Sequence, residues 1–206
     1  MYNLCDEVLQ EVHHAKYLGV TISDDLKWCN HVDNISKKSS NTLNFLRRNL
    51  KYCPRNSKET AFFALVRSTV EYSCTIWDPY LKKDVDNLEK IHRRAARFVM
   101  NDYKLHSSVT VMLNKLKWPS LEHRRKNQRL TTMFKIVQGL VAVPSSHLIS
   151  ADSRTRANHV YKFKNISASS TVYMNSFFPR IIPQWNSLDK DIAEAPSLSC
   201  FKNRLP

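Results

Sequence analysis

Apolar residues recur at helical spacing along most of the chain. Between His31 and Leu50 they fall at Val32, Ile35, Leu43, Leu46 and Leu50, with Lys37, Lys38, Arg47 and Arg48 between them, which predicts a first long helix. Pro54 punctuates the chain, and Asn56 with Glu59 three residues on reads as a capping box. It opens a second helix that carries Phe62, Leu65, Val66, Thr69 and Val70 towards Trp77, where Asp78-Pro79 ends it. A third helix is predicted from Lys82 to Asp102. Its wheel gathers Leu88, Ile91, His92, Ala95, Phe98 and Val99 on one face and Lys90, Arg93, Arg94 and Arg97 on the other.

Beyond it, Ser107 or Ser108 caps a short helix through Leu116, and Pro119 suits the first turn of another that extends to Gln138. Gly139 is the natural left-handed terminator of that helix. There Leu130, Met133, Phe134 and Val137 oppose Arg124, Arg125, Arg129 and Lys135, so a second basic face is expected. Strand periodicity is confined to AKYLGVTI at 15 to 22, one short strand around Gly19, and to HVYKFK at 159 to 164, after a Pro- and Ser-containing loop. Residues 176 to 188, SFFPRIIPQWNSL, predict an interrupted short helix. A last helix from near Pro196 carries Leu198, Phe201 and Leu205 and stops on an apolar face without a terminator, which reads as truncation. The fold class is therefore mainly α: a short N-terminal strand or hairpin, a helical bundle, and a mixed C-terminal segment.

Composition narrows the function. The 206 residues hold only Gly19 and Gly139 as glycines. A phosphate-cradling loop needs glycine where backbone approaches the anion. No G-x-G-x-x-G, no Walker-type lysine loop and no G-x-S-x-G elbow occurs, so nucleotide-loop enzymes and α/β-hydrolases are excluded. Leu, Ile, Val and Phe together number 54, enough for a folded core.

The formal net charge is +14, and residues 31 to 150 carry 22 basic against 9 acidic side chains. Such an excess suits an anionic partner, nucleic acid first, held by phosphate contacts. The two basic helix faces are the candidate surface: Lys90, Arg93, Arg94 and Arg97 on one, Arg124, Arg125, Arg129 and Lys135 on the other. Lys37, Lys38, Arg47, Arg48, Lys51, Arg55 and Lys58 add to them. Five cysteines without a C-x-x-C pair read as reduced thiols. The first fifteen residues show no secretory signal, and no apolar run approaches a membrane span, so the expected setting is intracellular, cytoplasmic or nuclear, with no membrane partner.

Catalytic chemistry is harder to find. Asp24-Asp25 is a turn and helix-start signal rather than a Mg²⁺ site, since a converging third carboxylate is lacking and Asp33 falls inside a predicted helix. Cys29, His31, His13, His14 and Cys53 match no paired zinc spacing. His92 sits on an apolar helix face, the position of a core histidine. No catalytic residue, metal or cofactor is assigned.

Read in order, the segments resemble the region downstream of the catalytic centre in reverse transcriptases of non-LTR (LINE-type) retrotransposons of the jockey and CR1-like kind. The carrying residues are Tyr17-Leu18-Gly19-Val20, Leu26-Lys27-Trp28 and His31; Leu65-Val66-Arg67, Val70-Glu71-Tyr72 and Trp77-Asp78-Pro79; and the run from Leu88 to Val99. Leu116-Lys117-Trp118, Arg124-Arg125, Arg129-Leu130, Phe178-Pro179-Arg180, Trp185-Asn186-Ser187-Leu188 and Phe201-Lys202 complete them.

The resemblance implies a remnant of the palm edge over 1–30, with Tyr17, Leu18 and Gly19 in a primer-grip-like strand. It implies a thumb-like helical bundle over 31–104 and a post-thumb helical region over 105–206. It implies a hold on an RNA template, or on hybrid or DNA duplex, through phosphates, and docking to a palm domain that these residues do not include. The family's Phe/Tyr-Ala-Asp-Asp box belongs upstream of the strand and does not occur in the fourteen residues before Ala15. The expectation is thus the holding part of an RNA-directed DNA polymerase without its chemistry, and not an enzyme by itself. The alternative is a non-functional relic or protein-interaction fragment, with Phe62, Phe63, Phe177 and Phe178 as candidates for uncovered apolar surface.

Overall fold

The computed structural model describes residues 11–143, 148–151 and 159–205, together with the backbone of 3–4 and 7–8. The fold is mainly α. Two short antiparallel pairs come first, β1 (Asn3–Leu4) with β2 (Glu7–Val8) and β3 (His14–Tyr17) with β4 (Val20–Ser23). The expected single strand around Gly19 is thus a hairpin. Leu18 and Gly19 form its two-residue turn with φ of 45° and 85°, the doubly left-handed pattern that matches strand twist. Gly19 relieves one of these positions of strain, and a Cβ there would also meet the Tyr72 ring at 3.4 Å.

Helix α1 (Cys29–Asn49) follows without a side-chain N-cap, since Asp24 and Asp25 spend their carboxylates on the preceding turn. The next helical stretch is broken up. Helix α2 (Arg55–Phe62) passes through a π-helical turn (Phe63–Arg67) into α3 (Ser68–Glu71), and left-handed Ser73 separates this from α4 (Cys74–Trp77). The capping box does not form: Pro54 is the N-cap of α2, and Glu59 accepts the Trp118 indole N–H at 2.8 Å instead. Helix α5 (Lys82–Met100) ends on left-handed Asn101, and α6 (Val109–Leu116) is capped by Ser108. Helix α7 (Leu121–Val137) is capped by Ser120, so Pro119 lies just outside rather than within its first turn, and Gly139 follows its end at φ 66°.

Cys29 of α1 donates to Asp84 near the start of α5, and Asn44 accepts from Arg94 farther along both. The two longest helices therefore run in the same direction, side by side, with α2 to α4 as the crossover between them. Val32, Leu43 and Leu46 meet Leu88, Ile91, Ala95 and Phe98, and Phe62, Val66, Met112 and Trp118 close the first core. Burial of each such aliphatic side chain contributes about 1.5–3 kcal/mol. His92 is among them as expected, between Phe62 (6.1 Å) and Trp118 (5.3 Å), and Phe62 stacks on Trp118 at 4.7 Å.

A second core joins Leu130, Met133 and Phe134 of α7 to α9 (Phe177–Asn186) and to α11 (Leu198–Arg204), after the single turns α8 (Thr171–Met174) and α10 (Lys190–Ala193). Helix α9 runs through exposed Pro183 without interruption, while Pro179 sits in its first turn, where no N–H is needed. Helix α11 ends at Arg204, with Leu205 already extended. The strand expected at 159–164 is reduced to one antiparallel bridge, Ser150 with Phe163. The Asn186 amide takes the place of further strand pairing by bonding both the N–H and the carbonyl of Phe163, at 3.0 and 2.7 Å. Phe62 is buried, and Phe63, Phe177 and Phe178 are half-buried against the cores, so the four rings expected to lie uncovered are packed.

Burial pushes the His92 imidazole down to about 4, the Pro119 backbone opposing only in part. An unfolded histidine titrates near 6.5, so below that value the unfolded chain binds a proton that the folded one refuses. Stability then falls as pH drops from 6.5 towards 4. His31 and His159, also pushed down by burial, add the same sign. The His92 share is expected to be on the order of 2–3 kcal/mol between about pH 7 and pH 4.5, read as a loss in urea midpoint. His92→Leu should flatten that loss, and an equally steep fall in the variant would refute the assignment.

Candidate nucleic-acid interface

The two basic helix faces meet different fates. On α7, Arg125 and Arg129 are 1% and 4% exposed, so the second solvent-facing stripe does not exist. Arg125 Nε donates to Asp78 Oδ1 at 2.7 Å, Arg129 pairs with the same carboxylate, and Arg180 of α9 reaches Asp78 Oδ2 at 3.3 Å. Arg180 also donates to the Asp78 carbonyl at 2.9 Å. Arg124, half-buried, forms a two-point pair with Glu71 at the end of α3. The reason lies in the position of α7, which contributes to both cores and so has no wide solvent face. Burial lowers Arg129, with Arg180 adding repulsion, only to about 10, so it remains charged at neutral pH. Lys135 is half-buried in a groove of about 570 Å³ that it shares with Arg124, Thr131, Thr132 and Lys202.

On α5, Lys90 and Arg93 are exposed as expected, but Arg94 and Arg97 are half-buried. Arg94 crosses to α1, donating to Ser40 Oγ at 3.3 Å and Asn44 Oδ1 at 2.9 Å. Arg97 binds the turn after α5, donating to the carbonyls of Asp102, Lys104 and Ser107.

What the structure builds instead is a lane between α1 and α5. One end is a groove of about 710 Å³ lined by Ser36, Lys37, Ser40 and Asn41 of α1 and by Asn87, Lys90, Arg93 and Arg94 of α5, with Asp33 as its single acidic residue. The other is a cavity of about 800 Å³ lined by Asn44, Arg47, Arg48, Lys51, Lys58, Phe98, Asn101 and Tyr103. The Arg94–Asn44 hydrogen bond is the divide between them. From Lys37 to Arg48 the lane follows α1 for roughly 17 Å at about 1.5 Å per residue, the axial rise of about five phosphates of one strand.

The hairpin lies along the neighbouring side of α1. Tyr17 and Leu18 are 67% and 73% exposed, and the Leu18 carbonyl accepts the Tyr72 hydroxyl at 3.1 Å. A groove of about 730 Å³ there includes Lys16, Gly19, His31, Lys38 and Tyr72. Lys37 thus faces α5 while Lys38 faces the hairpin.

Arg180 was named from sequence only as part of a motif, its ion pair hidden by its distance from α7, and Tyr103 was not singled out because it follows α5. Tyr52 and Tyr103 each adjoin a lysine in sequence, Lys51 and Lys104, an aromatic–basic pairing that is a usable signal.

Among the described residues the carboxylates and thiols do not assemble a metal site. Asp24 pairs with His13 at 2.9 Å and Asp25 with Lys27 at 3.1 Å. Cys74 is buried and its thiol is pushed up to about 11 by desolvation. No group of three or more His, Cys, Asp or Glu side chains converges among the described residues. Among the same residues no helix is long and apolar enough to cross a membrane.

Removing Asp78 strands three guanidiniums, so Asp78→Ala is expected to cost about 3–5 kcal/mol. Lys90→Ala and Arg93→Ala should stay within about 0.5 kcal/mol of the parent. Urea unfolding checks both, and a mild Asp78→Ala effect would show that the cluster is not holding α7. Compared with models of known protein families, with curated proteins and with solved structures, the chain matches none of them.

Proposed function

We propose that this chain holds nucleic acid by its sugar–phosphate backbone, without reading sequence, as the thumb and post-thumb part of a LINE-type reverse transcriptase would. The observation that carries the reading is the α1–α5 lane, in which Lys37, Arg47, Arg48, Lys51, Lys90 and Arg93 face a trough with a single carboxylate, Asp33. Cations that are already paired, such as Arg125 and Arg129, offer a phosphate little. Those in the lane are exposed, all but Lys51 on two parallel, packed helices, so a backbone can exchange its counterions for them at small ordering cost. The order of motifs from Tyr17-Leu18-Gly19 to Trp185-Asn186-Ser187-Leu188 supports the family reading, and the hairpin beside α1 suits the primer-grip role assigned to it. Such a module works in the cytoplasm or nucleus and has no membrane partner. By itself it performs no nucleotidyl transfer, which needs metal-bridged carboxylates.

A docking role for the hairpin tip is a second reading, favoured by the exposure of Leu18 and of Tyr72, 73% and 56%. It is compatible with backbone binding, since the tip lies outside the lane.

With about six phosphates neutralised, affinity for a labelled RNA–DNA hybrid duplex is expected to fall about 10³-fold between about 50 and 200 mM salt. Charge reversal at Lys37, Lys90 and Arg93 should weaken binding about tenfold or more, while reversal at Lys164 and Lys190 should change it little. Salt-insensitive binding, or equal losses from the two sets, would overturn the lane. Primed RNA with dNTPs and Mg²⁺ is expected to yield no extension product on a sequencing gel; extension would overturn the non-catalytic assignment.

A further inference from the structure

Lys58 is 3% exposed, yet none of the ion pairs among the described residues involves it. Its ammonium reaches the Asn101 side-chain oxygen at 3.5 Å and lies 5.6 Å from the Phe98 ring centroid. A long contact to a neutral amide and a ring quadrupole compensate a buried charge poorly. That charge lines the cavity at the far end of the lane, with Arg47, Arg48 and Lys51 around it and no acidic residue. The chemistry of the cavity asks for an anion.

Two aromatic rings accompany these cations. Tyr103 lines the cavity, with the Arg47 guanidinium 4.9 Å from its ring centroid. Tyr52 is 90% exposed, with Lys51 Nζ 5.2 Å from its ring. Exposed rings beside phosphate-binding cations are the recurring equipment of single-strand binding, because an unpaired base offers a face to stack on and a base inside a duplex does not. The groove at the other end of the lane has cations, serines and asparagines but no aromatic residue.

We propose that the cavity around Lys58 seats an unpaired stretch of nucleic acid, with a phosphate above Lys58, its base against Tyr103 and a neighbouring base on Tyr52. The inference rests on the backbone-holding reading above and refines it. The lane then has two parts: a Lys37–Arg93 half that grips any backbone, and a Lys58–Tyr103 half that discriminates unpaired from paired strands.

The test is fluorescence anisotropy of the full chain with a labelled oligothymidylate of about twelve nucleotides and with a blunt duplex of equal length. The double variant Tyr52→Ala/Tyr103→Ala is expected to lose about tenfold or more for the single strand while duplex affinity stays within about twofold. Tyr52→Phe/Tyr103→Phe should restore single-strand binding, since the ring face is retained. Lys58→Met should lower the single-strand salt slope by about one. As Lys58 is buried, circular dichroism must first show this variant folded; the exposed tyrosines keep the test independent of it. Equal losses for both ligands in the alanine variant, or none for either, would overturn this inference; the parent chain's binding of the duplex would leave the backbone reading standing. Failure of the parent chain to bind either ligand at low salt would overturn both.

Discussion

Three guanidiniums, from Arg125, Arg129 and Arg180, converge on the carboxylate of Asp78, which is itself nearly buried. Charged groups leave water at a cost of several kcal/mol each, and one carboxylate shared by three guanidiniums offsets it only in part, since both Arg125 Nη atoms stay buried without a hydrogen-bond partner among the described residues. The arrangement therefore tolerates few alternatives. Asp78 sits in the link between α4 and α5, Arg125 and Arg129 lie one turn apart on α7, and Arg180 arrives from α9, so one carboxylate joins both cores. Arg180 also holds the Asp78 main chain. Glu71 and Arg124 repeat the pattern between α3 and α7. These pairs orient α7 against the first bundle; the apolar burial of Leu121 at one end and of Phe134 at the other supplies the bulk of its attachment.

That internal use of charge determines what remains for a ligand. The three arginines of α7 are consumed by the fold, while Lys37, Arg47 and Arg48 of α1 and Lys90 and Arg93 of α5 stay exposed along the trough between two helices that pack in parallel. Parallel packing requires a crossover, and the broken helices α2 to α4 supply it. Their break at Ser73 turns Trp77 into the core, where its indole N–H meets the Tyr72 carbonyl at 2.7 Å and its ring lies 5.0 Å from His31. The same break places Tyr72 beneath the hairpin tip. Crossover, hairpin and trough are thus consequences of one packing arrangement.

Much of this was legible in the residues. The periods of α1, α5 and α7, the Ser108 cap, the Gly139 stop and the core position of His92 all follow from local rules, because a helix face and a cap are decided within a few residues. The Leu18-Gly19 turn was half legible: glycine marked it, but AKYLGVTI carries β-branched and aromatic residues on both sides and reads equally as one strand. The Asn56/Glu59 capping box failed for a long-range reason, since the Trp118 indole competes for Glu59 from 59 residues away.

The sequence by itself determined a mainly helical chain with an apolar core and an excess of cations. It could not determine which cations face water. A wheel assigns charged residues to the outside because burying one costs free energy, and it fails where a partner carboxylate, brought from a distant segment, offsets that cost. Arg125 and Arg129 have such a partner in Asp78; Lys90 and Arg93 do not. Lys58 is buried with no carboxylate partner among the described residues, at the edge of a cavity that forms only when α1, α2 and the end of α5 come together. The division between charges that hold the fold and charges left for a ligand is a tertiary property, because it depends on which opposite charges the packing brings within reach.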